Sequence, residues 1–135
     1  MKLIILILIF LIWARVGFAE SVSLRWDAPT TNTDNTPLTD LAGFYIYQGT
    51  ATGVYESPVD VGHTLCYIVN GLTAGITYYF AATAYDESAN ESNYSNEVSK
   101  LIASGDVGNC SDGNSIHFNW KNRYKSTGGF KGGFQ

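Results

Sequence analysis

A chain of 135 residues with 45% hydrophobic residues and a formal charge of −4 has room for one domain with its own core, and not for two ordinary ones. Ten carboxylates lie between residues 20 and 103, opposed only by Arg25 and Lys100, whereas 116–135 carries Lys121, Arg123, Lys125 and Lys131 and no acid. An acidic body of this kind excludes nucleic acid as its partner, because phosphate backbones call for clustered cations.

Residues 3–13 are almost wholly apolar and follow Lys2, and Gly17-Phe18-Ala19 places small residues at the −3 and −1 positions of a cleavage site. This pattern predicts a secretory signal peptide over 1–19 and a mature chain beginning at Glu20. The apolar run is shorter than the ~20 residues of a spanning helix. The expectation is therefore a secreted protein, extracellular or periplasmic, with no stable membrane span after cleavage; an uncleaved anchor is the alternative. In such a compartment Cys66 and Cys110 are candidates for a disulfide, worth ~3–4 kcal/mol if unstrained. They fit neither a metal-ligand spacing nor a haem-attachment pattern.

In the mature chain, Ser21–Trp26 alternates, with Val22, Leu24 and Trp26 on one face. Residues 27–42 are rich in Asp, Asn, Thr and Pro and read as a long polar loop. From Gly43 to Gly49 alternation returns, with Phe44 and Ile46 inward and Tyr45 and Tyr47 outward. Residues 54–61 read as a weak strand that Pro58 confines to an edge. Residues 65–70 put Leu65, Tyr67 and Val69 on one face. A turn at Gly75 then leads into a strand over 76–85, with Tyr78, Phe80, Ala82 and Ala84 facing one way and Tyr79, Ala81, Thr83 and Tyr85 the other. Leu72 and Tyr78 have the spacing of a tyrosine corner. Turn-formers fill 86–93, and a last strand runs over 94–102. No helical period occurs in the mature body. The expected fold class is all-β: two antiparallel sheets packed face to face, an immunoglobulin-like sandwich with Trp26, Phe44, Ile46, Leu72, Tyr78 and Phe80 as its core.

The pattern Val22-x-Leu24-x-Trp26-Asp27-x-Pro29, Leu41-Ala-Gly-Phe-Tyr-Ile-Tyr47, Tyr67-x-Val69-x-Gly71-Leu72, Gly75-x-x-Tyr78, and Asp86-x-Ser88-x-Asn90-Glu91-Ser92 before Tyr94-Ser-Asn-Glu-Val98 resembles fibronectin type III domains of secreted bacterial proteins. The resemblance covers 21–102 and implies a domain over 20–102. It implies a fold rather than a ligand, since that fold hosts many functions. Modules of this family are adhesive, spacing or carbohydrate-associated parts of larger exported systems. Two departures stand out: the family's first strand, ahead of the one bearing Trp26, is short or missing, and Ala74 replaces the usual Pro before the turn glycine.

Four outward tyrosines, Tyr45, Tyr47, Tyr79 and Tyr85, with Tyr55 nearby, are the candidate binding residues, suited to stacking on a sugar or a protein partner. The competing reading is cross-strand pairing that stabilises the sheet itself. Asp86–Glu91 offers alternating oxygens as a calcium loop does, but it lacks the glycine and distal glutamate of an EF-hand, so the side chains are expected to cap their own turn. His63 and His117 are the only histidines, and His63 follows a glycine in a loop with no Cys or Ser partner in a recognisable motif. No metal, cofactor or catalytic residue is expected, and the protein is read as non-enzymatic, with a protein or carbohydrate at the cell surface as partner.

Beyond the domain, 103–135 reads as a Gly/Asn-rich linker and a basic aromatic tail. Within it Ile116, Phe118 and Trp120 alternate with His117, Asn119 and Lys121, a strand pattern over 115–121. A spare strand beside a sandwich that lacks one suggests completion of the Val22–Trp26 edge, within one chain or in a neighbour. Self-association through the tail, giving a structural subunit, is the second functional expectation.

Overall fold

The computed structural model describes residues 19–32 and 36–120. The expected signal peptide up to Phe18, residues 33–35 of the polar loop and the basic tail from Lys121 onward lie outside the described residues. Seven strands follow one another: β1 (Glu20–Trp26), β2 (Leu41–Gly49), β3 (Val59–Gly62), β4 (Cys66–Leu72), β5 (Thr77–Asp86), β6 (Val98–Leu101) and β7 (Ile116–Phe118). They form a three-stranded sheet, β4-β1-β7, and a four-stranded sheet, β3-β2-β5-β6. Among the described residues there is no helix, and none long and apolar enough to cross a membrane.

The two sheets are joined by a shared core, as in a β-sandwich. Val22, Leu24, Trp26, Val69 and Leu72 come from one sheet, and Phe44, Ile46, Phe80, Ala82 and Ala84 from the other. The period-two patterns of β1, β2 and β5 supply these positions directly. Trp26 meets Phe44 edge-on, with ring centroids 5.5 Å apart. Tyr78 is half-buried, and its hydroxyl accepts a hydrogen bond from the Thr73 amide at 3.4 Å, tying β5 back to the preceding turn. Gly75 in that turn has φ 84°, a left-handed conformation suited to glycine.

Three features depart from the sequence reading. First, the three-stranded sheet is mixed: β1 pairs antiparallel with β4 but parallel with β7, with Leu24 opposite Ile116 and Trp26 opposite Phe118. Second, β6 begins only at Val98. Ahead of it, Ser92 and Ser95 replace regular pairing, their hydroxyls accepting from the Ala84 and Ala82 amides while their own amides donate to the Ala84 and Ala82 carbonyls. Short polar side chains that bond to backbone compete with a strand ladder in this way. Third, β3 is confined to 59–62, past Pro58, whereas residues 51–54 form a tight turn with a single bridge between Ala51 and Val54.

Residues 103–115 are not a free spacer. The Ser21 amide donates to the Asp106 carbonyl, the Gly108 amide to the Ser21 hydroxyl, and the Gly105 amide to the Glu20 carboxylate. Gly108 approaches β1 so closely that a Cβ there would lie 2.6 Å from the Val22 carbonyl carbon. A Cys66–Cys110 disulfide, with Cα atoms 6.0 Å apart, fastens this arm to β4. The arm then delivers β7 to the β1 edge and inserts Phe118 and Trp120 into the core, where they contact Trp26 and Phe44. The edge of the Trp26 strand is thus filled by the chain's own later residues.

Candidate functional site

The outward face of the four-stranded sheet carries the tyrosines singled out from the sequence. The pairing of β2 with β5 sets Gly43 opposite Tyr85, Tyr45 opposite Thr83, Tyr47 opposite Ala81 and Gly49 opposite Tyr79. All four candidates therefore lie on one face, but they do not form one continuous surface.

Tyr45 and Tyr85 form a pair, with centroids 4.7 Å apart and planes tilted by 34°. The pair depends on Gly43: any Cβ there would fall 2.4–2.9 Å from Tyr85 ring and hydroxyl atoms. The ring crosses β2 over this gap, and its hydroxyl donates to Asp60 Oδ1 on β3 at 2.9 Å. Asp60 Oδ1 also accepts the Gly62 amide. Burial, then the hydrogen bond to Asp60 and its charge, raises the Tyr85 hydroxyl pKa above its ordinary value.

Tyr47 belongs to a second cluster. It packs edge-on against Tyr94 at 4.8 Å and lies 6.1 Å from Tyr55, while Tyr55 and Tyr94 are 5.4 Å apart. Its hydroxyl and that of Thr83 both donate to Glu91 Oε1. Burial first, and then the hydrogen bond to Glu91, pushes the Tyr47 hydroxyl far above the usual phenol range. A neighbouring carboxylate, Glu97, accepts from the Tyr55 and Thr52 hydroxyls and the Gly53 amide, holding the 51–54 turn onto the sheet. That turn lies over Gly49, where a Cβ would collide with the Val54 carbonyl. Tyr47 is thus partly covered, and Ala81 and Thr83, expected on an open face, are buried. Tyr79 stands apart, with no ring contact to the other tyrosines among the described residues.

Tyr94, Glu91 and Glu97 are site residues that the sequence reading missed. Their signal was the run Glu91-Ser-Asn-Tyr-Ser-Asn-Glu97, an aromatic between two acids in a segment read as turn and strand.

The other candidates resolve into structural roles. Asp86 accepts the Ser88 and Asn90 amides on Oδ1 and the Asn90 side-chain amide on Oδ2, so both oxygens point into their own loop. This is turn chemistry. No group of three potential ligands gathers at metal-binding distance among the described residues. His63 lies against Phe44, and His117 lies 3.8 Å from Asp27. Arg25, Asp27, Leu65, Asp112, Ser115 and His117 help to line a separate cleft of about 330 Å³ at the end of the three-stranded sheet. Its walls carry one cation, Arg25, and two carboxylates, Asp27 and Asp112.

No family model and no curated protein matches the chain. Among solved structures, the crystal structure of a beta-1,2-glucanase from Parabacteroides distasonis is similar, with 23% identity and a TM-score of 0.45. The match covers 63% of this chain and 13% of that one, so the likeness is to a small part of a much longer enzyme.

Proposed function

We propose that this protein is a secreted, non-enzymatic binding module of fibronectin type III kind, acting through protein or carbohydrate contacts at the cell surface. The carrying observation is the Tyr45–Tyr85 pair, an aromatic surface fixed in place by Gly43 and Asp60. A binding surface gains affinity when its aromatic groups are ordered before the partner arrives. The β3-β2-β5-β6 order, Trp26 in the core and the Tyr78–Thr73 tie support the family reading. The unusual element is β7, which occupies in parallel orientation the edge where the family's first strand is short or missing. The apolar run before Ala19 and the Cys66–Cys110 bridge support export.

A second reading, a structural subunit assembled by strand donation, is less well supported. Its open edge is filled from within the same chain.

The test is saturable binding to immobilised cell-surface polysaccharide and to surface-protein panels, wild type beside a Tyr45→Leu/Tyr85→Leu variant. The proposal expects binding lost in the variant with its melting temperature little changed. Equal binding by both proteins would refute it.

A further inference from the structure

We propose that Tyr45, Tyr85, Asp60 and Glu91 form a recognition site for a cationic side chain, lysine or arginine, presented by a partner protein. This inference rests on the preceding reading of the tyrosine face and specifies what that face selects.

The four residues are linked across the sheet, Glu91 by way of Thr83. Tyr45 is paired with Asp60 on β3 on one side and with Thr83 on β5 on the other. Thr83 in turn hydrogen-bonds to Glu91, whose backbone bridges to Tyr85. One carboxylate, Asp60, therefore bonds the aromatic pair directly, and a second, Glu91, is held on Thr83, the cross-strand partner of Tyr45. Each uses only one oxygen internally, and only on neutral donors. Asp60 Oδ1 takes the Tyr85 hydroxyl and the Gly62 amide, and Glu91 Oε1 takes the Tyr47 and Thr83 hydroxyls. Asp60 Oδ2 and Glu91 Oε2 make no hydrogen bond among the described residues.

The chain supplies no counter-charge here from its described residues. Their only lysine and arginine are Lys100 and Arg25. Lys100 pairs with Asp106 at 3.3 Å, and Arg25 lines the cleft on the other sheet. Phenol rings attract a cation over their faces, and a carboxylate at the rim adds a charge-assisted hydrogen bond. Neutral sugars also stack on tyrosines, and their hydroxyls can donate to carboxylates, but they bring no positive charge to two carboxylates that no described lysine or arginine neutralises. The charge complementarity therefore favours a basic protein segment over a glycan.

The probe is a synthetic peptide of alternating serine and lysine or arginine, titrated into the full chain by calorimetry at about 20 and about 300 mM salt, where screening differs severalfold in range. An Asp60→Asn/Glu91→Gln variant retains the acceptor oxygens that hold Tyr85, Tyr47 and Thr83 while removing both charges. The expected result is at least a tenfold loss of affinity in this variant and in wild type at the higher salt. An Asp27→Asn/Asp112→Asn variant, equal in charge change but on the cleft, should change by less than about twofold.

Three results overturn the inference: no binding of the peptide by wild type, undiminished binding by D60N/E91Q, or an equal loss in D27N/D112N. A neutral oligosaccharide that binds regardless of salt and of D60N/E91Q, yet is lost in Y45L/Y85L, overturns the cationic partner while preserving the tyrosine face as the binding surface. Binding of both probes unchanged in Y45L/Y85L overturns both readings.

Discussion

Replacing Phe118 by alanine tests whether the late arm belongs to the core. Phe118 is 0% exposed, sits on a strand of only three residues, and packs 6.0 Å from Trp26. Truncating a fully buried phenylalanine removes its transfer free energy and leaves a cavity, together about 3–5 kcal/mol. A body of this size loses roughly 4–8 °C of melting temperature per kcal/mol, so Phe118→Ala should melt at least about 12 °C lower. Urea unfolding followed by tryptophan fluorescence reads the loss, because Trp26 and Trp120 both lie in this part of the core. Phe118→Leu, a smaller change, keeps the measurement usable if the alanine variant does not fold. Leu101→Ala, at a side chain 61% exposed, is the control and should stay within about 0.5 kcal/mol. A cooperative Phe118→Ala transition within about 1 kcal/mol of wild type would refute the packing of β7 against Trp26.

Further outcomes follow from the same contacts. The Cys66–Cys110 bridge spans a sequence separation of 44, for which the chain-entropy relation gives up to about 4 kcal/mol; a Cys66→Ser/Cys110→Ser pair should lower the urea midpoint accordingly, and amide exchange should rise first in 106–118. Gly43→Ala should displace the Tyr85 ring, and spectrophotometric titration should then show one tyrosine returning toward ordinary phenol behaviour, whereas an unaltered titration would contradict the ring's position over β2. Tyr47 holds its proton more tightly folded than unfolded, so its contribution to stability is complete below a pH of about 10 and is lost as pH rises beyond that point. Glu91→Gln should bring the Tyr47 hydroxyl only part of the way down, since burial is the larger cause.

The sandwich was legible because β1, β2 and β5 carry a strict two-residue alternation, which leaves Trp26, Phe44, Ile46 and Phe80 one place to go. The arm was legible only in part. Ile116, Phe118 and Trp120 announce a strand, but the glycines and asparagines of 104–115 look the same whether they hang free or lie along β1. Their docking comes from hydrogen bonds between the arm's backbone and Glu20 and Ser21, of which composition carries no trace, and from the disulfide, whose two cysteines are visible in the sequence but whose closure depends on geometry. The outward face was misjudged for a related reason. Alternation states which side of the sheet Tyr45, Tyr47, Tyr79 and Tyr85 occupy, but not what folds over that side. Glu91, Tyr94 and Glu97 arrive from a segment without period, held by two serine hydroxyls in place of a ladder. The parallel sense of β7 was equally invisible, because it depends on the path of the arm rather than on the residues of the strand.

The central claim is that the tyrosine face of the four-stranded sheet is where this protein meets its partner. Chemical-shift mapping of the isotopically labelled chain during titration with the basic peptide tests this most directly. The account predicts shifts concentrated at Gly43–Tyr47, Asp60, Thr83–Tyr85 and Glu91. Shifts centred instead on Arg25, Leu65 and His117 would place binding in the cleft beside β7 and contradict it.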